Sequence, residues 1–228
     1  VLATSHYFGE GKGTERDELE EAKLRLEEML LNEGIDLKIL LGNELYLSPD
    51  ILDNLSRGKA LTLAGSRYIL LELPANEVPE YTEDILYELQ IKGYVPIIAH
   101  PERNSAIVKN PNILYSLVEK GSMAQLNLHS LTGMYGKDVM NTANILLRHN
   151  LIQFAGTDSH SDGKRSPNVR NSLRLLQTKL GQEKYFKIIY QNPELLIQNK
   201  AINLENPESV VRKGLRGGFL NGIMSLGL

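Results

Sequence analysis

Residues 81–103 read YTEDILYELQIKGYVPIIAHPER. The stretch up to Gly93 has a helical pattern that the glycine closes, and the apolar run after it reads as a strand ending at His100. Helix, glycine, buried strand, polar residue: this unit recurs on both sides. Upstream, strands are expected at 1–7 (VLATSHY), 35–47 (IDLKILLGNELYL) and 67–74 (RYILLELP). A helix is expected over 14–32, with Thr14 as N-cap, Gly34 as stop, and Leu19, Ala22, Leu26, Met29 and Leu30 on one face. The stretch ILDNLSRGK is a short helix or turn. Downstream, helices at 110–121 and 137–150 alternate with a strand and turn at 122–133 and a strand at 151–160, and 168–199 holds two or three helices. Strands apolar on both faces, alternating with helices, imply parallel βαβ units in an α/β fold, with about six strands. No linker interrupts the pattern, so residues 1–200 form one domain and 201–228, rich in glycine, a C-terminal tail.

Composition narrows the function. The 228 residues suffice for one α/β barrel. A net charge of −3 and no basic block argue against nucleic acid as a partner. No apolar run is long enough to span a membrane. The first apolar residues lead straight into His6 with no leader pattern, and a cytoplasmic location is expected. The chain has no cysteine, which removes disulfides, thiolate metal sites and any cysteine nucleophile.

The strand ends carry the polar residues. In order these are His6, Glu44, Glu72, His100, Asn127 with His129, and Asp158 with His160. Sites in parallel α/β folds form at the carboxyl ends of strands. A lone histidine there is commonly a hydrogen-bonded structural residue, Glu72 a solvated strand end, and TDSH a capped turn. The coincidence across strands points instead to a metal site, with His129 its weakest member and His149 a surface residue of a helix. Imidazole and carboxylate ligands suit Mn, Fe, Zn or Mg, and several carboxylates can bridge ions as in phosphate-ester hydrolysis. Arg103, in HPER, and Arg165, closing DSHSDGKR, supply the donor fork that matches phosphate. A surface ion pair is the alternative for each.

VLATSHY, GNELY, LLELP, IIAHPER, SLTG and GTDSH, in this order, resemble the PHP (polymerase and histidinol phosphatase) superfamily. Within it, they resemble the manganese-dependent protein-tyrosine phosphatases of bacterial capsule and exopolysaccharide operons. The resemblance spans residues 1 to about 200. It implies a distorted (β/α)7 barrel with two or three metal ions, Mn2+ foremost, at its C-terminal face. Its ligands would be His6, Glu44, Glu72, His100, Asp158 and His160. Arg103 and Arg165 would hold the phosphate, and His160 or an acidic residue beside it would protonate the leaving oxygen. The substrate would be the tyrosine-phosphorylated tail of a partner kinase. The family opens on a strand bearing His-x-His, which this sequence does not show. The expectation is therefore a barrel lacking its first βα unit and the ligands on it. Other readings are a phosphatase of a small phosphate ester and a phosphotyrosine-binding homologue without catalysis. Oligomeric state stays open, a homo-oligomer included.

Overall fold

The computed structural model describes residues 1–9 and 11–210. Six strands form one sheet: β1 (Leu2–Tyr7), β2 (Leu40–Tyr46), β3 (Tyr68–Glu72), β4 (Val95–Ala99), β5 (Met123–Asn127) and β6 (Phe154–Gly156). All neighbours are parallel, and the order is β1-β2-β3-β4-β5-β6. Each strand lies beside its sequence neighbours, so the sheet winds in one direction. Among the described residues no pairing joins β6 back to β1, and the result is an open, half-barrel sheet.

Parallel neighbours need crossovers, and the helices provide them. These are α1 (Arg16–Asn32), α2 (Ile51–Ser56), α3 (Thr82–Ile91), α4 (Ser105–Lys109), α5 (Asn112–Glu119) and α6 (Lys137–Arg148). After β6 come α7 (Arg170–Phe186), a π-helical turn at Lys187–Gln191, and α8 (Asn192–Ile197).

The two-residue period of a strand divides the core. Ile69, Leu71, Ile98, Ala124 and Leu126 join the main cluster with Leu86, Leu89, Leu114, Leu117, Leu146 and Leu176 of the helices. The alternate residues Tyr68, Leu70, Ile97, Ala99 and Met123 enter a second cluster, closed by Leu63, Leu196 and Ile202. Both faces of the central strands are thus buried, which explains their unbroken apolar runs. Of the expected tail, residues 201–210 lie against the domain: Ile202 is buried, and Val210 exchanges two hydrogen bonds with Asn112. Residues 211–228, the rest of that tail, lie outside the described residues.

Several boundaries differ from the sequence expectation for local reasons. The N-cap of α1 is Glu15, not Thr14, through a reciprocal capping box with Glu18. The second strand starts at Leu40 and the sixth at Phe154, both later than expected. An additional short helix, α4, begins where the Asn104 side chain accepts from the backbone N–H of Ala106 and Ile107.

The apolar stripe of α1 is largely uncovered. Leu19 is its one buried residue, while Leu26 is 42% and Met29 64% exposed. This separates two stability predictions. Leu114→Ala, in the core with no exposed surface, should cost about 2–5 kcal/mol in urea unfolding. Met29→Glu, on the exposed part of the stripe, should stay within about 0.5 kcal/mol. A comparable loss at Met29 would show that this face is covered in solution.

Candidate functional site

The sequence-predicted residues converge on one rim of the sheet. His6 and Glu44 are register partners across β1 and β2, and Glu72 ends β3 opposite Tyr46. His100 follows β4 directly, and Asn127 ends β5. The last strand stops at Gly156, where a Cβ would stand 2.8 Å from the side-chain nitrogen of Gln125. A larger residue there would have to push the Gln125 side chain aside, and Asp158 and His160 follow as a loop. His100 (φ 32°) and Asp158 (φ 48°) both adopt left-handed backbone. That costs roughly 1–2 kcal/mol per non-glycine residue, a strain that clusters at functional sites.

Two groups of side chains result. In the first, the donor atoms of His6, Glu44 and Glu72 all lie within 4.8 Å of one another. His100 Nε2 is 2.8 Å from Glu44 Oε1 and 3.7 Å from Glu72 Oε1. His6 Nδ1 is buried, 3.5 Å from Glu72 Oε2, and has no hydrogen-bond partner. Burial, reinforced by the nearby Glu44 carboxylate, pushes the Glu72 carboxyl above its ordinary range. Burial alone would lower His100; the hydrogen bond to Glu44 and the Glu44 charge together outweigh this and raise it. Crowded carboxylates, imidazoles and an unpartnered ring nitrogen form a donor set that fits a divalent cation of borderline hardness.

The second group centres on Asp158. Its Oδ2 accepts from Arg103 Nη1 at 2.7 Å, Arg165 Nη2 at 2.6 Å and Asn127 Nδ2 at 3.0 Å. Asp158 is thus engaged by both arginines rather than gathered with the first three donors. His160 Nδ1 lies 3.0 Å from the Asp158 carbonyl oxygen. A carbonyl only accepts, so Nδ1 carries the hydrogen and a neutral ring keeps its lone pair on Nε2, as metal-bound histidines do. The rings of His160 and His6 are 5.7 Å apart and link the two groups.

Three residues that support or border the site carry no clear sequence signal. Glu102 is fully buried; its Oε1 accepts from Asn127 N–H and Ser130 Oγ, and its Oε2 has no partner. It holds the turn after β4 to the turn after β5. The Tyr135 ring carries the Arg103 guanidinium at 4.7 Å from its centroid, and its hydroxyl accepts from Asn127. Phe8, 47% exposed, stacks on His6 at 5.4 Å and leans on Tyr46. The only signal for Phe8 and Tyr135 is their closeness in sequence to His6 and to SLTG. His129 is turned away from the first group, with Nε2 donating to the Ser166 carbonyl. His149 is the C-cap of α6 and is half-buried, not the surface residue expected, with its Nδ1 buried and without a hydrogen-bond partner.

A family model described as "Capsular polysaccharide synthesis, CpsB/CapC" matches residues 1–198. The tyrosine-protein phosphatase YwqE of Bacillus subtilis is 36% identical over 219 residues, which covers 96% of this chain and 86% of that protein. The tyrosine-protein phosphatase CpsB of Streptococcus pneumoniae is 26% identical over 207 residues, covering 89% and 85%. A solved structure superposes with a TM-score of 0.88 at 36% identity, over 93% of this chain and 85% of the other. It comes from a study of YwqE and of S. pneumoniae CpsB, described there as unique metal-dependent tyrosine phosphatases. With the family pattern matched from the first residue to the last helix, the chain belongs to the CpsB/CapC family of capsular polysaccharide synthesis.

Proposed function

We propose that this chain is a metal-dependent tyrosine-protein phosphatase of capsule synthesis, acting in the cytoplasm on the tyrosine-phosphorylated tail of a bacterial kinase. The observation that carries the reading is the meeting, on one rim, of a carboxylate–imidazole donor group with a pair of arginines. The fold fits the reading as part of a distorted (β/α)7 barrel of the PHP type. No helix among the described residues is long and apolar enough to cross a membrane.

In this reading His6, Glu44, Glu72 and His100 hold the metal, Mn2+ first among the candidates, with Asp158 and His160 completing the set. When bound, the metal supplies Lewis-acid charge stabilisation and lowers the pKa of water. The chain does the rest. Arg103 and Arg165 reach the phosphoryl oxygens with paired N–H donors, where negative charge accumulates in transfer. Tyr135 carries the Arg103 guanidinium on its ring face. Asn127 and Asp158 fix the arginines between turnovers. The proton for the leaving tyrosine oxygen comes from His160 or an acidic residue beside it, and His160 serves as the acid only where its Nε2 holds hydrogen and not the metal.

The test is phosphate release from a phosphotyrosine peptide with Mn2+. Turnover that survives thiol-alkylating reagents is the expected result, since there is no cysteine to modify. Binding of the peptide without release would favour a non-catalytic phosphotyrosine-binding homologue. Turnover of small phosphate esters alone would favour a metabolic phosphatase.

A further inference from the structure

Beside the arginines lies a cleft of about 480 Å3 that the scheme above does not use. His129, Thr132, Lys164, Ser166, Arg170 and Asn171 line it, together with neighbouring polar residues and Met134. Its charged lining is entirely cationic. Lys164 and Arg170 make no ion pair among the described residues, and no carboxylate faces the cleft.

The cleft is built onto the catalytic rim. Lys164 and Arg165 are consecutive, so their Cα atoms are about 3.8 Å apart. Arg165 turns to Asp158, while Lys164 lines the cleft. The backbone that follows them is held at two carbonyls. The Arg165 carbonyl accepts from the N–H groups of His160 and Ser161, and the Ser166 carbonyl accepts from His129 Nε2. The loop that presents a guanidinium to phosphate therefore presents an ammonium to whatever lies next to it. His129 has a role here too, since its ring holds the floor of the cleft to the turn after β5.

We infer that this cleft is a subsite for an acidic side chain flanking the phosphotyrosine of a peptide substrate. The inference rests on the phosphatase reading for the position of the phosphotyrosine. Charge complementarity selects the occupant. An extended peptide advances about 3.3–3.6 Å per residue, so a carboxylate one to three residues from the phosphotyrosine reaches a cleft adjoining Arg165. The lining adds hydroxyl and amide partners beside the two cations, which suits Asp or Glu.

The test uses the full chain with Mn2+ and matched phosphotyrosine peptides. Their flanks are acidic on the N-terminal side, acidic on the C-terminal side, or neutral throughout. Wild-type kcat/KM should favour one acidic peptide over the neutral one by roughly five- to tenfold at low salt. That ratio should collapse toward one at about 0.5 M salt, where screening shortens to a few ångströms. In Lys164→Gln/Arg170→Gln the ratio should be close to one at any salt. Equal use of acidic and neutral peptides by the wild type would overturn the inference, as would a preference that survives the double substitution. Should no phosphotyrosine peptide be turned over, the phosphatase reading fails on its own. Fluorescence anisotropy of the same peptides then decides the subsite: tighter binding of an acidic peptide that depends on Lys164 and Arg170 supports it, and equal binding overturns it.

Discussion

Removing divalent metal with a chelator should abolish phosphate release, and Glu72→Gln should lower kcat/KM on the order of 10³-fold with metal in excess. Both follow from one geometry, the His6, Glu44 and Glu72 donors within 4.8 Å of each other. Water activation and charge stabilisation would be lost together. Stability gives an independent readout. Burial and the Glu44 charge hold the Glu72 pKa above its unfolded value. In metal-free protein this group therefore reduces stability as pH rises through the interval between its unfolded and folded values. A cation reverses that penalty. At a hundred times its Kd it adds about 2.7 kcal/mol, worth roughly 5–10 °C in Tm for a chain of this size. Metal-free Glu72→Gln should melt no lower than metal-free wild type, and metal should raise its Tm far less. Full activity in chelator, or an undiminished metal-dependent rise in the variant, would refute the assignment.

Glu102→Ala should be the most destabilising change near the site. It strips the acceptor from Asn127 N–H and Ser130 Oγ in a fully buried position and leaves a cavity. Together these losses amount to about 3–5 kcal/mol, or a Tm lower by roughly 10 °C. Glu102→Gln keeps an acceptor oxygen for both donors and removes the buried charge. Burial raises the Glu102 pKa above the ordinary glutamate value of 4.5, although Ser130 opposes this. The folded protein thus binds the proton more tightly than the unfolded chain, and wild-type stability falls as pH climbs from about 4.5 toward the raised value. Glu102→Gln lacks that part of the slope, so its Tm relative to wild type should improve as pH rises. Melting curves across pH on wild type and both variants measure this. A pH-independent difference between Glu102→Gln and wild type would mean that Glu102 is not a buried charge.

The site is more legible in the sequence than its supports. His6, Glu44, Glu72 and His100 announce themselves because each ends or follows an apolar run, where a polar residue has a definite place in a parallel sheet. Glu102 is invisible for the opposite reason. Between Pro101 and Arg103 it reads as a solvated turn, and only the three-dimensional approach of the turn after β5 buries it. The left-handed backbone at His100 and Asp158 likewise has no glycine to mark it. Helix α4 is hidden in the run after HPER, where Asn104 supplies the cap but only five residues follow as helix. On α1 the periodicity marks the helix and its apolar stripe, but spacing identifies a stripe and not its cover. The cover of the second core cluster is unreadable in principle: Leu63, Leu196 and Ile202, which close it, come from distant parts of the sequence.

Asp158 sits between two guanidinium groups that, in the proposed reading, exist to hold phosphate. Where the metal does not hold that carboxylate, the protein carries its own resident anion, and an incoming phosphate competes with it. A rival that is covalently attached never dilutes away. It weakens the capture of free inorganic phosphate, which brings no further contacts, and lets a dianion win only when the rest of a substrate adds affinity. It also refills the arginines after hydrolysis, so the product meets a closing trap and not an open one. Selectivity against the most abundant phosphate in a cell would then be a property of one carboxylate's position, independent of any contact with the tyrosine ring.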